Sequence, residues 1–400
     1  MKLSLNLYLT MALAVLFFYL GEFLKKKVKF FRTYCIPSPV IGGLIFALLQ
    51  FGFYEAGVLD LTLDSSLQSV FMNLFFTSVG FGASLAMVKK GGKTLVIFLI
   101  CVASLICIQN VVGVAMCQFF GLDPLLGLCV GSIPLTGGHG NCGAFGPLLE
   151  DMGVQSAFTV AVASATYGLI AGNLIGNPIA RRLILKNHLT EHSSSKVDAE
   201  AQAELEKNSA LTHVLDPVKG TSGLALLFIA LGGGIFVTMA FKAAHITVAT
   251  YCGAMICGIL IRNFCDTSHI ELPIQEISTI GNISLNFFLI LAMMSLKLQQ
   301  LVGLALPMIV ILLVQTIIVA LFTTYVTFNA CGRDYDAAVL VTGQCGFGMG
   351  ATPNAMANMD ALTKTFGPTQ KAYLIVPITG GFFSDIMIAL FVTIAMNMLA

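Results

Sequence analysis

The sequence predicts an all-α membrane protein that crosses the bilayer many times and consists of two inverted halves with five spans each. Three observations lead to this fold class. Apolar residues make up 57% of the 400 residues and charged residues only 10%. They fall in runs of about 18 to 28 residues, the length a helix needs to cross a bilayer. Each half also contains one glycine-rich interruption. With a formal net charge of +1, this composition does not favour a nucleic-acid partner.

The apolar runs define ten predicted spans, five on each side of a polar segment. Residues 3–24 are longer than a signal-peptide core and lack an Ala-x-Ala site before the lysines that follow, so we interpret them as a retained span. The other spans of the first half are 36–53, 67–88, 94–120 and 155–180. Those of the second half are 221–241, 245–263, 276–297, 301–328 and 371–397. The halves are therefore 1–180 and 220–400, joined by a linker at 181–219 that includes SSSKVDAEAQAELEKNSA.

The distribution of basic residues predicts the orientation, because loops rich in Lys and Arg stay in the cytoplasm. With ten spans, one side collects Lys25, Lys26, Lys27, Lys29, Arg32, Lys89, Lys90, Lys93, Arg181, Arg182, the linker lysines, Arg262, Arg333, Lys364 and Lys371. The other side has only Lys2, Lys242 and Lys297. Both termini are therefore predicted to be extracytoplasmic and the linker cytoplasmic. Five spans per half also invert the second half relative to the first.

Several polar and glycine residues recur in the same order in both halves, as expected of an inverted repeat. The paired positions are Asn73 with Asn286, Gln109-Asn110 with Gln315-Thr316, Gly121-Leu-Asp123-Pro124 with Gly332-Arg-Asp334-Tyr335, Gly168 with Gly380, and Asn173 with Asp385. Each match is weak alone. Their shared order favours the repeat.

A glycine-rich segment lies between the fourth and fifth spans of each half: GSIPLTGGHGNCGAFGPLLE at 131–150 and VTGQCGFGMGATPNAMANM at 341–359. Paired interruptions of this kind are typical of re-entrant hairpins at a binding site. We predict hairpins at about 124–150 and 335–362, with tips near mid-depth, free carbonyls for a cation and helix N-termini for an anion. Asp123 with Pro124, and Thr352 with Pro353, are predicted to start short helices there.

These motifs carry a resemblance to a known family. GLDPLLGL with GSIPLTGGHG, and YDAAVL with GQCGFGMGATPNAMANM, resemble the sodium/glutamate symporter family of bacterial inner membranes, over essentially the whole chain. IPSPVIGGL, FLICVASLICIQN, LALPMIVILLVQT and FGPTQKAYLIVP add to the match. The resemblance implies sodium-coupled uptake of L-glutamate by a homodimer with an elevator-like movement. The family pattern is expected to have His at Gln344 and Thr at Asn354, departures that bear on the exact substrate.

Glutamate carries two carboxylates, yet no Arg or Lys is predicted at mid-depth. Anion binding must then use backbone N–H groups, polar side chains and helix termini of the two tips. The candidate substrate-binding residues are Ser132, Thr136, Gly137, Gly138, His139, Asn141, Gln344, Gly346, Gly348, Thr352 and Asn354. Glycine in a span can also serve close packing alone, which is our interpretation of Gly168, Gly172 and Gly176. His139 fits a substrate ligand, a proton relay or a structural hydrogen bond equally well.

Asp385 is the most informative single residue. If its span enters the hydrocarbon near Tyr373, twelve residues at about 1.5 Å each place it about 18 Å deep in a core of roughly 30 Å. A charge there costs about 2.5–3.5 kcal/mol and needs a partner. The candidate sodium ligands are Asp385, Asn173, Thr136 and Gly350. The alternative is a structural hydrogen bond from Asp385 to another span.

The remaining polar residues also fit ordinary structural roles. Gln109, Asn110 and Gln315 can touch the hairpin tips or simply bond helix to helix. Caps at the membrane edge are the expected role of Asp123, Asp334 and Asp336, and Lys297 is expected to snorkel.

Two other function classes fit less well. A membrane hydrolase would need a nucleophile beside a base, but neither GxSxG nor HExxH occurs. A channel can use glycine-rich loops, although inverted repeats suit alternating access better. Within the carriers, a sodium- or proton-coupled transporter of another small dicarboxylate or amino acid stays open.

The predicted topology can be tested by cysteine accessibility in a Cys-free background. A cysteine introduced at Ser194 in the linker should be protected from an impermeant thiol reagent in whole cells and react after permeabilisation. Labelling from outside intact cells would show that the topology is wrong.

Overall fold

The computed structural model describes residues 2–34, 36–56, 60–189, 216–243, 250–296 and 304–399. Most of the predicted linker and Lys297 lie outside the described residues. Helices dominate the rest. In the first half they are α1 (Leu7–Lys27), α2 (Lys29–Thr33), α3 (Ser38–Glu55), α4 (Ser66–Gly82), α5 (Leu85–Phe119), α6 (Ser132–Leu135), α7 (Gly138–Asp151) and α8 (Ala157–Lys186).

The second half has a similar order of helices. They are α9 (Pro217–Ala243), α10 (Thr250–Thr267), α11 (Ile274–Met294), α12 (Ala305–Phe322), α13 (Phe328–Ala330), α14 (Tyr335–Gly348), α15 (Thr352–Phe366), α16 (Gln370–Ile378) and α17 (Ser384–Leu399). Short π-helical segments at Thr323–Thr327 and Thr379–Phe383 connect α12 to α13 and α16 to α17. A 3-10 helix spans Pro124–Val130.

Each of the ten predicted spans coincides with a helix or a continuous helical stretch. Within the described ranges, eight of these are long and apolar enough to cross a membrane. The predicted third span is shorter than expected, since α4 has 17 residues and ends at Gly82. The fourth begins early, at Leu85, and kinks at Gly92 with a φ of 62°. The fifth, α8, continues to Lys186 and so takes the first residues of the predicted linker.

The N-terminus differs from the prediction. Residues Lys2–Ser4 form β1, which pairs in parallel with β2 at Asp60–Thr62. The first helix therefore begins only at Leu7, where the Asn6 side chain accepts a hydrogen bond from the backbone N–H of Leu9 at 3.0 Å. Each strand has three residues, and strands this short without an apolar alternation leave no recognisable signal in a sequence.

The helices pack in two groups. The continuous group consists of α1, α3, α4, α9, α10 and α11. The broken group consists of α5, α8, α12 and α13, α16 and α17, and the two glycine-rich segments. Each group contains corresponding helices from both halves of the chain. The continuous group thus holds the first three predicted spans of each half. The broken group holds the last two spans and the glycine-rich segment between them.

Aromatic rings and glycines form the contact between the two groups. A Cβ atom added at Gly143 would lie 2.5 Å from the ring of Phe288, and one at Gly82 would lie 2.1 Å from the ring of Phe382. The rings of Phe145 and Tyr251 meet edge to face at 5.8 Å. Small residues therefore let bulky rings of the opposite group approach the backbone.

Close approach also explains the glycine series in α8. A Cβ atom at Gly168 would lie 2.1 Å from the carbonyl oxygen of Met349, and one at Gly172 would lie 2.7 Å from that of Cys345. The packing interpretation of this series is therefore confirmed, and it places α8 directly against the second glycine-rich segment.

Replacing Gly168 by Ala should destabilise the protein, because the added methyl group overlaps the Met349 carbonyl. Overpacking of this kind costs about 1–3 kcal/mol. The check is the thermal unfolding midpoint of the purified protein in detergent. Gly52→Ala is the matched control, since a Cβ atom there meets nothing within 4 Å. Equal midpoints for the two variants would contradict the packing interpretation.

Candidate functional site

The first broken segment begins as the sequence predicts and then departs from it. The Asp123 side chain accepts from the backbone N–H of Leu125 at 2.9 Å, so the predicted cap is confirmed. The helix that follows is a 3-10 helix rather than an α-helix, and it ends at Gly131. After the single turn of α6, a second interruption at Thr136 and Gly137 precedes α7.

The second broken segment is simpler. Asp334 caps α14 by accepting from the backbone N–H of Ala337 at 2.7 Å. The chain then breaks over residues 349–351 and resumes as α15 with Pro353 in its first turn. The prediction that Thr352 and Pro353 start this helix is confirmed. The Thr352 side chain does not cap it, since its hydroxyl donates to the carbonyl of Gly380 at 2.7 Å. Asp336 is also not a cap, since it accepts from the Thr369 hydroxyl at 2.6 Å.

The two interruptions meet inside the broken group. The Thr136 hydroxyl lies 3.4 Å from the carbonyl oxygen of Gly348. Gly138, with a φ of 62°, passes so close to Gly350 that a Cβ atom there would lie 2.9 Å from its carbonyl oxygen. Because α7 begins at Gly138 and α15 at Thr352, the N-terminal ends of two helices converge here. Free N–H groups and the partial positive charge of such ends favour an anion.

Asp385 has a protein partner. Its Oδ1 atom accepts from the side-chain amide of Asn141 at 2.7 Å, and the same amide donates to the carbonyl of Gly137 at 3.0 Å. The expected structural hydrogen bond is therefore present. The amide is neutral, however, so it orients the carboxylate without neutralising its charge. The bond ties the first broken segment to α17 of the opposite half.

Asn354 makes a comparable contact in the second broken segment. Its side-chain amide donates to the carbonyl of Leu169 in α8 at 2.9 Å. The Asn173 amide donates to the same carbonyl at 3.1 Å. Asn173 thus lies beside the second interruption, and among the described contacts no hydrogen bond connects it to Asp385.

Three oxygen atoms around the interruptions are buried and have no hydrogen-bond partner in the described part of the chain: Ser132 Oγ, Asn141 Oδ1 and Asn354 Oδ1. Hydroxyl, amide and carboxylate oxygens are the ligands that hard cations prefer. They also accept hydrogen bonds from an ammonium group. The donor set therefore fits both sodium and the amino group of an amino acid.

The remaining candidates make other contacts. His139 Nε2 lies 3.1 Å from the hydroxyl of Thr166 in α8. The Gln344 side chain accepts from the Thr327 hydroxyl at 2.6 Å. A Cβ atom at Gly346 would lie 2.5 Å from the backbone of Ala355, so this glycine lets α14 and α15 pack closely.

A second polar cluster, not predicted from the sequence, lies one helical turn further along α8 and α15. The Thr342 hydroxyl donates to Asn177 Oδ1 at 3.1 Å, and the Asn358 amide donates to the carbonyl of Gly172 at 3.1 Å. The signal was present, because Asn177 and Asn358 each follow a candidate asparagine by four residues. Asn177 also lines a cavity of about 1010 Å³, whose lining includes the basic residues Arg181, Arg182 and Lys186.

Several known proteins are similar to this chain over most of its length. Residues 3–368 match the family model described as "Sodium/glutamate symporter". A sodium/glutamate symporter of Escherichia coli (strain K12) is 40% identical over 383 residues, with 95% of each chain covered. One from Haemophilus influenzae is 37% identical over 390 residues, with 97% of this chain and 96% of the relative covered. The solved sodium proton antiporter MjNhaP1 from Methanocaldococcus jannaschii aligns over 99% and 98% of the two chains at 13% identity, with a TM-score of only 0.44.

Proposed function

The chain belongs to the sodium/glutamate symporter family, and we propose that it couples sodium entry to the uptake of L-glutamate across the bacterial inner membrane. The observation that carries this proposal is the family match, which covers residues 3–368 and so includes both broken segments. It is a family of transport proteins and not of enzymes. Sodium and glutamate are both cargo, taken from one side of the membrane and released on the other.

The two broken segments are re-entrant hairpins that enter from opposite faces in two inverted halves. This proposal is supported by helix length, because α14 and α15, with 14 and 15 residues, reach only about 21–23 Å. It is also supported by matching contacts. Asn141 of the first hairpin bonds to the last helix of the second half, and Asn354 of the second hairpin bonds to the last helix of the first half.

Sodium binds beside the first hairpin. Asp385 supplies the charge, and the Asn141 Oδ1 atom, the Thr136 hydroxyl and the Gly350 carbonyl supply neutral oxygens from the same region. We retain Asn173 as a ligand candidate for a sodium ion at the second hairpin, since it lies beside Asn354 there. Once sodium neutralises the Asp385 carboxylate, that carboxylate no longer repels the carboxylates of glutamate. Sodium binding thereby prepares the site for glutamate.

Glutamate binds where the hairpin tips converge. The N-terminal ends of α7 and α15 hold its carboxylates through backbone N–H groups, in α7 those of Gly138 and the residues after it. The Gly137 N–H already donates to the Ser132 carbonyl at 3.0 Å. Ser132 and Asn354 present buried oxygen atoms that suit the ammonium group. Alternatively, the Asp385 carboxylate binds the ammonium group of glutamate instead of sodium. No lysine or arginine is needed, because helix termini in a dry site act as fixed positive charge.

Transport proceeds by an elevator-like movement in which the broken group slides against the continuous group. The contact between them is formed by rings packed on glycines, such as Phe288 on Gly143. Such a surface contains few directional bonds that would resist sliding. The continuous group forms a homodimer, and both termini face the outside of the cell.

Uptake of labelled glutamate into proteoliposomes tests the function directly. We expect saturable uptake that requires an inward sodium gradient and is abolished when potassium replaces sodium. Competition by aspartate and other dicarboxylates measures the substrate range. Uptake driven by a proton gradient in sodium-free buffer, or stronger competition by another dicarboxylate than by glutamate itself, would favour the alternative carrier.

The charge of Asp385 is tested by Asp385→Asn. The asparagine can still accept the hydrogen bond from Asn141, so the fold is retained while the charge is removed. Attraction between two charges about 4 Å apart is worth roughly 4 kcal/mol at an effective dielectric constant near 20, before desolvation is subtracted. We therefore expect the apparent sodium or glutamate affinity to fall at least tenfold, which requires only about 1.4 kcal/mol.

The control for this variant is Asp360→Asn, which removes an exposed carboxylate from α15. It should leave both affinities near the wild-type values. Unchanged sodium dependence in purified Asp385→Asn would show that the carboxylate is only structural.

A further inference from the structure

Gln109 belongs to neither broken segment, yet its side chain bonds to both. It lies in α5 and is fully buried. Its Nε2 atom donates to the carbonyl of Gly348 in the second segment at 2.8 Å. Its Oε1 atom accepts from the hydroxyl of Thr136 in the first segment at 2.7 Å. One carboxamide therefore spans the place where the two interruptions meet.

The chemistry of the partners fixes how this amide is oriented. A backbone carbonyl can only accept, so the NH₂ group of Gln109 must face Gly348. The carbonyl oxygen then faces Thr136, whose hydroxyl has a proton to donate. A reversed amide would place two acceptors against each other at one end. The bridge thus has one arrangement that satisfies both segments.

A second buried glutamine bonds to the backbone of Gln109 and not to its side chain. Gln315 of α12, also fully buried, donates from Nε2 to the backbone carbonyl of Gln109 at 2.7 Å. The neighbouring Asn110 accepts from the backbone N–H of Ser132 at 3.0 Å. Because Asn110 anchors α5 to the first segment, Gln109 has little freedom to follow the second segment away from the first.

We propose that Gln109 is a positioning residue that transmits sodium binding at one broken segment to glutamate binding at both. This inference rests on the proposed function. Thr136 lies five residues before Asn141, the partner of Asp385, and Gly348 lies two residues before Gly350. When sodium binds and the first segment rearranges, Thr136 moves. The hydrogen bonds of Gln109 to Thr136 and to the Gly348 carbonyl then transmit this displacement to the second segment. Without the bridge, each segment responds to its own ligand alone.

The test measures coupling rather than activity. For purified full-length protein, the glutamate dissociation constant is determined at saturating sodium and in its absence, and the ratio of the two values is the coupling factor. Gln109→Met keeps the length and volume of the side chain but removes both polar atoms. Gln109→Asn keeps the amide, but its side chain is too short to reach both partners. It replaces Gln109→Met in the test if that variant does not insert into the membrane.

We expect both Gln109 variants to reduce the coupling factor by roughly tenfold, within the range of about 5- to 150-fold that couplings between sites span. Gln315→Met is the matched control, because it removes an equally buried amide whose described bond is to a backbone carbonyl outside the two segments. It should lower the unfolding midpoint as Gln109→Met does and leave the coupling factor close to wild type.

Two results would overturn the inference in different ways. Wild-type coupling in both Gln109 variants, or an equal loss in Gln315→Met, would show that Gln109 has only a structural role while the proposed function stands. Wild-type protein that binds glutamate equally with and without sodium would overturn the proposed function, and the role of Gln109 with it.

Discussion

Backbone groups that a helix break leaves open inside a membrane have no water to bond, and the broken group is arranged around their partners. The carbonyl of Gly348 receives the Gln109 amide, that of Gly137 receives the Asn141 amide, and that of Gly380 receives the Thr352 hydroxyl. These donors come from different elements of the chain. The interruptions can exist at depth only when the surrounding helices are already assembled, so the site and the fold stabilise one another.

Glycine is the second requirement of this arrangement, because donors can reach these carbonyls only if the backbones come close. Gly168 lies against the Met349 carbonyl, and Gly113 of α5 lies against that of Gly127, where an added Cβ atom would be 2.1 Å away in each case. Each broken segment is thus in contact with a long helix along its backbone as well as through side chains. Glycines of the long helices allow these backbone contacts.

The sequence predicts the ten helices, the two interruptions and the caps at Asp123 and Asp334, because each depends on residues close together in the chain. Of the contacts between distant residues it suggests only a few, such as those of Gln109 and Asn110 with the glycine-rich segments. The bond from Asn141 to Asp385 joins positions 244 residues apart, and Thr352 bonds to Gly380 instead of capping its own helix. The π-helical segments at Thr323–Thr327 and Thr379–Phe383 are not predicted from the sequence either.

The two asparagine contacts are equivalent in position but different in charge, and this difference assigns separate tasks to the hairpins of the proposed repeat. Asn354 bonds to a neutral carbonyl, so the energy of that contact does not depend on whether an ion is present. Asn141 bonds to a carboxylate, whose burial is costly until a cation compensates it. Ion-dependent energy is therefore concentrated at the first hairpin. A substrate held by both hairpins can respond to sodium only if the second one is mechanically tied to the first, as it is where Thr136 and Gly348 meet.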